Sequence, residues 1–356
     1  MERLAFGSLI LSVTLGVAAS AQSPAPSQSP PSQPAATQSP TTQPPTQPPA
    51  TEPSPGQTSQ ERVFRAGASL VALNVTVSDG KHLVPGLGQN DFAIYEDGVL
   101  QHVQFFESTE VPIDLIILID TSASMSDKME VVHEAATGFV KTLRDRDHGA
   151  VVTFGDNVNI SQALTADRSV LEQAIRKAQA HGSTALNNAL YVAMKQFARS
   201  AQQSGEIRRQ AIAVLSDGED TSSVITFDDV LAMARKSGIN IYTICLTNKY
   251  SVSRAESTKR FFSESDFAMK TLAQETGALS YFPQSVQELK GIYASISDEL
   301  SNQYSIGYSP SNWRPDGRFR RIVVKVNAHP EFQPRARQGY TAEAPHTTQS
   351  LQNPDR

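Results

Sequence analysis

The chain has almost no cysteine: among its 356 residues, Cys245 is the only one that carries a thiol. A single cysteine forms no internal disulfide, so stability has to come from a hydrophobic core. Cys245 lies in the apolar run INIYTICL, where we expect a small thiol to be buried and unreactive. The scattered histidines form no HExxH pattern and have no cysteine partner, which argues against a zinc site.

The chain also lacks an excess of positive charge and the common nucleotide and hydrolase loops. Its net charge is −5 and its pI is about 5.8, so no overall basic field favours nucleic acid. The short basic cluster RFRR, at 318–321, is expected to be the solvated face of a strand. Neither a GxSxG elbow nor a GxxxxGK loop is present.

The first 21 residues have the layout of a secretory signal peptide. Arg3 precedes an apolar stretch at 4–17, and the small residues Ala19-Ser20-Ala21 form a cleavage site. An uncleaved membrane anchor is the alternative, but the stretch is shorter than the ~20 residues of a membrane helix. No second membrane segment is predicted. We therefore expect an exported protein that is periplasmic, associated with the cell surface or secreted.

Residues 22–60 are rich in Pro, Gln, Ser and Thr and contain almost no large apolar side chain. Such a segment cannot bury enough apolar surface to fold, and its prolines keep it extended. At ~3.1 Å per residue it could reach on the order of 100 Å, so we interpret it as a disordered linker or stalk. Residues 344–356 are expected to form a disordered tail.

Two segments with strand patterns flank the middle of the chain. Residues 61–111 contain the alternating run SLVALNVTVSDG and a hairpin signal at Asp97-Gly98. Residues 304–343 contain the runs QYSIGYSPS and RFRRIVVKVN, with RQGYTA as a further candidate strand. Each segment alone has too few strands for a stable sheet, so we predict that both join in one immunoglobulin-like β-sandwich. Two separate β extensions are the alternative.

Residues 112–303 alternate apolar strands with amphipathic helices. DLIILID, GAVVTF, QAIAVLSD and INIYTICL are apolar on both faces, which is typical of parallel strands covered by helices on both sides. VNISQAL follows its neighbour too closely for a helical crossover and is predicted to be an antiparallel edge strand. The fold class is therefore α/β, with a doubly wound and mostly parallel sheet beside the sandwich.

Oxygen-bearing side chains follow the predicted strands of this sheet. Asp120, Ser122 and Ser124 end the first strand, Asp217 ends another, and Thr184 precedes a helix. Ligands bind beyond the carboxyl ends of the strands in such sheets, so these five side chains should converge. Carboxylates, hydroxyls and water suit Mg²⁺ or Mn²⁺, with Ca²⁺ as a further candidate.

The same residues resemble a known family. DTSAS at 120–124 matches the DxSxS signature of von Willebrand factor type A (vWA) domains, GSTAL resembles their threonine loop, and LSDGED resembles their strand-end aspartate. The resemblance covers about 112–303. The flanking strands look like those of exported bacterial proteins related to vWA domains.

The resemblance implies a metal-ion-dependent adhesion site (MIDAS). Ser122 and Ser124 would bind the cation directly, Thr184 would join when a ligand is bound, and Asp120 and Asp217 would act mainly through water. A Glu or Asp of a partner protein would complete the octahedron. The expected function is therefore an exported, non-enzymatic binding or adhesion module that uses Mg²⁺.

Some positions depart from the family pattern. Integrin-type domains often have two adjacent acids after the serines, whereas this chain has Asp127 followed by Lys128, so we expect Asp127 to favour a helix start. Ser183 replaces a common glycine. Glu219 and Asp220 are expected to form a solvated acidic turn, and a role for His181 as a pH sensor is the weaker alternative to an ordinary loop histidine.

Two other function classes remain to be weighed. A degenerate domain would keep the pattern and act as a scaffold without metal, although the five residues are intact. A Mg²⁺-dependent phosphatase of the haloacid dehalogenase type would use Asp120 as its nucleophile. Such enzymes need a second acid two residues later, and Ser122 stands there instead.

Overall fold

The computed structural model describes residues 70–108, 111–201, 207–216, 219–246, 263–327 and 329–342. All of them belong to one unit of the chain, which begins at Val63. The predicted signal peptide (1–21), linker (22–60) and tail (344–356) lie outside the described residues, and so does Asp217. Within the described part of the chain, no helix combines the length and the apolar character needed to cross a membrane.

A six-stranded sheet forms the centre of the α/β part. Its strands are β5 (Ile113–Asp120), β6 (His148–Phe154), β7 (Val158–Thr165), β8 (Arg209–Ser216), β9 (Asn240–Cys245) and β10 (Ser280–Tyr281), in the order β10-β9-β8-β5-β6-β7. All neighbours are parallel except β7, which pairs antiparallel with β6 at the edge. The predicted doubly wound, mostly parallel sheet and its antiparallel edge strand are confirmed.

Helices cover both faces of this sheet. They are α1 (Met129–Val140), α2 (Arg168–Lys177), α3 (Leu186–Ala201), α4 (Phe227–Ser237), α5 (Glu264–Thr276) and α6 (Leu289–Asn302). Leu115 and Ile117 of β5 join a core with α1, α2 and α6. Ile116 and Leu118 point to the opposite face, into a core with α3 and α4. Because successive strand residues face opposite ways, an uninterrupted apolar strand is what a two-sided core requires.

The helix ends follow ordinary capping chemistry. Asp167, Thr226 and Ser263 precede α2, α4 and α5, and each side chain accepts a hydrogen bond from a backbone N–H of the first turn. Gly238 and Gly277 end α4 and α5 with φ of +69° and +77°, a conformation that suits glycine. These capping residues mark where the helices begin and end between the strands.

The remaining strands form two four-stranded antiparallel sheets. They are β1 (Val71–Ser78), β2 (Phe92–Glu96), β3 (Val99–Gln101) and β4 (Val103–Glu107) before the α/β part, and β11 (Tyr304–Tyr308), β12 (Phe319–Val326), β13 (Gln333–Arg335) and β14 (Gly339–Thr341) after it. The sheet orders are β13-β1-β11-β4 and β14-β12-β2-β3. Each sheet therefore combines strands from both segments, and the inward residues of both sheets share one core. This confirms the predicted sandwich of N- and C-terminal strands.

Two details of the sandwich differ from the sequence-based expectation. The run DFAIYEDGVLQHVQFF predicts two strands joined at Asp97-Gly98, but the second of them breaks at His102, so β3 lies in one sheet and β4 in the other. The runs QYSIGYSPS and RFRRIVVKVN, with a turn at Pro315-Asp316-Gly317 between them, predict a hairpin, but β11 and β12 lie in different sheets and do not pair. The turn itself is as predicted: Asp97 and Gly98 have φ of 48° and 84°, which a tight two-residue hairpin needs.

Buried polar contacts join the sandwich to the α/β part. Glu299 of α6 is 3% exposed and pairs with Arg335 of β13 at 2.6 Å. Its second carboxylate oxygen accepts hydrogen bonds from Tyr242 and from Thr76 of β1, at 2.7 and 3.2 Å. Arg209, at the start of β8, donates to the Ser305 hydroxyl. The two parts are therefore linked by a network of buried hydrogen bonds and an ion pair.

We predict that Arg335→Met lowers the free energy of unfolding by about 3 kcal/mol, because it leaves the Glu299 carboxylate buried without its cation. Chemical denaturation would measure the change. Arg321→Met removes an exposed guanidinium from β12 and should change stability by less than about 0.5 kcal/mol. Equal effects of the two substitutions would contradict a special role for the Arg335–Glu299 pair.

Candidate metal centre

The site begins with a carboxylate that has no exposure to solvent. Asp120 is the last residue of β5, and its relative accessibility is 0%. One carboxylate oxygen accepts the Ser122 amide at 2.8 Å, and the other accepts the Ser216 hydroxyl at 2.6 Å. Ser216 ends β8, the parallel neighbour of β5, so the sheet itself brings the two strand ends together.

The two serines of the DxSxS turn lie side by side. The chain leaves β5 and enters a short 3₁₀ turn at Ala123–Met125, which places the Ser122 and Ser124 hydroxyl oxygens 3.0 Å apart. Ser122 is 2% exposed, whereas Ser124 is exposed. The buried Met125 side chain anchors the turn to the core. Two hydroxyls thus face each other at the carboxyl edge of the central strand.

The loop that carries Thr184 crosses directly over this turn. The His181 amide donates to the Thr121 carbonyl at 2.6 Å, and the Ala123 amide donates to the Gly182 carbonyl at 3.0 Å. Thr184 is 4% exposed, and its amide donates to the Thr221 hydroxyl at 3.0 Å. The structure therefore brings the threonine loop and the serine turn into contact.

Asp156, which sequence reasoning missed, holds the threonine loop. Its carboxylate accepts both the amide and the hydroxyl of Ser183, at 2.8 and 2.6 Å. These hydrogen bonds, the hydroxyl first, lower the pKa of Asp156. Gly182 has φ of +77°, and a Cβ there would collide with the Asp156 carboxyl group. Ser183, which replaces a common glycine, is therefore a hydrogen-bond donor to Asp156.

The third segment is partly described. Asp217 lies outside the described residues, and its neighbour Ser216 is the donor to Asp120. Glu219 is exposed, as expected, but Asp220 is not simply solvated. Its carboxylate accepts the amides of Asn187, in the first turn of α3, and of Ser223. The expectation for Asp220 was wrong in this respect, because the acid caps a helix that is distant in sequence.

The departures around the serine turn also have contacts. Lys128 donates to the Ser124 carbonyl at 2.9 Å, so the position of the second family acid is occupied by a cation that holds the turn. Asp127 is exposed just before α1. The His181 ring contacts the Gln179 carbonyl at 3.0 Å.

The donor set fits a hard cation. Among the described residues, no three His, Cys, Asp or Glu side chains come together, so any ion here would depend on hydroxyl oxygens. In an octahedron with Mg–O distances of about 2.1 Å, adjacent ligand oxygens lie about 3 Å apart. The Ser122 and Ser124 hydroxyls have that separation, 3.0 Å.

Comparison with known protein families identifies the α/β part of the chain. The family model for the von Willebrand factor type A domain matches residues 114–288. The chain carries a vWA domain. Domains of this family commonly mediate protein–protein interactions and are generally not enzymes.

Curated relatives with similar sequences are UPF0353 proteins of mycobacteria. The chain is 24% identical to the protein of Mycobacterium leprae strain Br4923 over 213 residues, which is 56% of this chain and 64% of that relative. It is also 24% identical to the protein of Mycobacterium marinum over 228 residues, 60% of this chain and 68% of that relative. The chain thus spans about two thirds of the length of these relatives.

Solved structures with a similar fold include other vWA proteins. A von Willebrand factor type A protein from Catenulispora acidiphila has a TM-score of 0.46 at 15% identity, covering 79% of this chain and 65% of that one. Proximal thread matrix protein 1 from the mussel byssus, with a zinc-occupied MIDAS motif, has a TM-score of 0.43 at 16% identity. The match covers 58% of this chain and 50% of that one.

We predict that Gly182→Ala destabilises the vWA domain by about 2 kcal/mol, because alanine resists the left-handed conformation and its Cβ displaces Asp156 from Ser183. Thermal or chemical unfolding would measure this loss. Gly138→Ala is the matched control: Gly138 is exposed in α1 with open space around it. There alanine should stabilise by about 0.5–1 kcal/mol through helix propensity. Destabilisation of both variants to the same extent would contradict the assignment.

Proposed function

We propose that this vWA domain binds Mg²⁺, with Mn²⁺ or Ca²⁺ as alternatives, and presents the ion to an acidic residue of a protein partner. Ser122, Ser124, Thr184, Asp120 and Asp217 would hold the ion. The observation that carries the proposal is the pair of hydroxyl oxygens 3.0 Å apart beside a fully buried carboxylate. A hydrogen bond between two hydroxyls does not need a buried carboxylate beside it, whereas a bound cation needs a negative charge nearby.

The contacts of Asp120 favour an indirect role for this residue. Both of its carboxylate oxygens already accept hydrogen bonds from the protein, one from Ser122 and one from Ser216. It would therefore lend negative charge through water, while neutral hydroxyls bind the ion directly. An ion with neutral direct ligands keeps much of its attraction for an anionic oxygen. A Glu or Asp side chain of a partner supplies such an oxygen.

The position of the site is consistent with capture of another protein. Ser124 is exposed at the carboxyl edge of the sheet, and the turn around it is held by Lys128 and by the 181–184 loop. From the sequence of residues 1–60 we further propose that the domain is exported and joined to a Pro-rich stalk. We propose a role in adhesion or protein interaction outside the cytoplasm.

The test is titration calorimetry of MgCl₂ and MnCl₂ into the purified chain. We predict saturable binding that weakens about 10- to 100-fold in Asp120→Ala, because loss of a charged outer ligand has that effect on metal sites. Asp127→Ala removes an exposed acid close to the site and should change affinity by less than about twofold. Circular dichroism should show the same fold for all three proteins.

Binding of a protein partner is measured separately from binding of the metal. A Glu-containing peptide library, screened with Mg²⁺ and with chelator, should yield ligands that bind only with the metal. The matching Gln peptides should fail, and Thr184→Ala should lose peptide binding more than metal binding. If the protein bound no metal, either by itself or with acidic peptides present, the proposal would be refuted. The domain would then be interpreted as a scaffold without a metal.

A further inference from the structure

A polar cavity lies at the opposite edge of the central sheet from the serine turn. Its volume is about 250 Å³, and its walls include Lys236, Trp313, Arg337, Tyr340 and Thr341, together with the start of β1. Lys236 belongs to the last turn of α4, and the next strand, β9, begins four residues later at its amino end. The cavity is therefore remote from the metal centre, at the seam between α4 and the sandwich.

Arg337 is the unusual residue of this cavity. Its Nε atom is buried and has no hydrogen-bond partner in the described part of the chain. The guanidinium forms no ion pair with any described residue, and its contact is with the Tyr340 ring at 5.7 Å. Burial lowers the pKa of Arg337, which reflects the cost of keeping a charge there. A buried polar atom without a partner is rare and calls for an explanation.

The neighbouring acids are already engaged. Glu96 accepts hydrogen bonds from the phenols of Tyr308 and Tyr340, at 2.7 and 3.0 Å. Glu299 is paired with Arg335. Arg337 lies beside Gly238, the residue that ends α4: its Nη1 atom would be 3.7 Å from a Cβ placed there. The carboxyl end of a helix carries only a partial negative charge, so it does not replace a carboxylate. With Lys236 on the same cavity, two cationic side chains border a space that no described carboxylate enters.

We propose that this cavity binds a small organic carboxylate that carries an apolar or aromatic group. The planar guanidinium of Arg337 offers a fork of N–H donors that matches a carboxylate. Lys236 adds a second positive charge, and Thr341 also lines the cavity. The apolar part of the ligand would lie against the Trp313 and Tyr340 rings. A volume of about 250 Å³ limits the ligand to a small molecule rather than a folded partner.

The chain offers a direct optical readout of this cavity. Trp313 is the only tryptophan in the sequence, so a ligand that binds here changes the whole tryptophan signal. The probe is phenylacetate, with phenylacetamide as the neutral analogue of equal size and inorganic phosphate as an anion without an apolar group. We expect saturable fluorescence change and an upward shift of the melting temperature with phenylacetate, and neither with phenylacetamide. Phosphate should bind more weakly than phenylacetate.

Two variants of the cavity and one control variant separate binding from structure. Arg337→Met should weaken phenylacetate binding about tenfold or more, as loss of a charge-assisted hydrogen-bonded pair implies. Without ligand it should melt at the same temperature as the wild type or higher, because a buried cation without a partner is removed. Lys236→Met changes an exposed side chain and should weaken binding several-fold. Arg321→Met, on β12, should leave phenylacetate binding unchanged.

Several outcomes would overturn the proposal. Equal responses to phenylacetate and phenylacetamide would show that charge plays no part. A lower melting temperature of Arg337→Met, with no phenylacetate response in the wild type, would make Arg337 a structural residue. Because Mg²⁺ titration reports on the other edge of the sheet, failure of this cavity and failure of the metal centre are distinguished by separate measurements.

Discussion

The Asp120 carboxylate is the constraint on which the centre of the vWA domain depends. An ionised group with no solvent exposure costs several kcal/mol unless charge or hydrogen bonds offset it. Here the Ser216 hydroxyl and the Ser122 amide occupy its two oxygens. Ser216 can do so only because β8 pairs with β5 in a parallel register, with Ile119 opposite Leu215. These neutral donors offset part of that cost, and the proposed cation would offset the rest.

The loops around this carboxylate form a single hydrogen-bonded layer. Thr121 donates through its amide and its hydroxyl to the Phe154 carbonyl at the end of β6, and its own carbonyl accepts the His181 amide. The Thr184 carbonyl in turn accepts the amides of Thr221 and Ser222. Four strand-end or loop segments are thus tied by backbone groups, whose geometry does not depend on flexible side chains. Loops held in this way are preorganised, which would lower the entropy cost of binding the proposed ion and partner.

Sequence patterns were sufficient for the parts of the structure that depend on local periodicity. Asp120, Ser122 and Ser124 could be placed at a strand end because an apolar strand stops there, and the Asp97-Gly98 turn follows from its residue types. The contacts that were missed join distant residues: Asp156 is 27 positions from Ser183, and Asp220 is 33 from Asn187. Alternation also shows which side of a strand is buried, but not which sheet it joins. For that reason the break at His102 and the separation of β11 from β12 could not be foreseen.

The attachment of the sandwich explains why one edge of the α/β sheet is suited to binding. Its contacts with the α/β part lie at the amino ends of strands and beside α6: Arg209 starts β8 and bonds Ser305, and Asn240 starts β9 and accepts from Asn74. Burial lowers the pKa of Arg209 to about 10, so its guanidinium stays charged at neutral pH and keeps its hydrogen bond to Ser305. Because β5 ends at the opposite edge, the Asp120 turn faces away from the sandwich. The strands before and after the α/β part therefore contact it at the amino ends of its strands. The loops of the candidate site lie at the opposite, carboxyl edge.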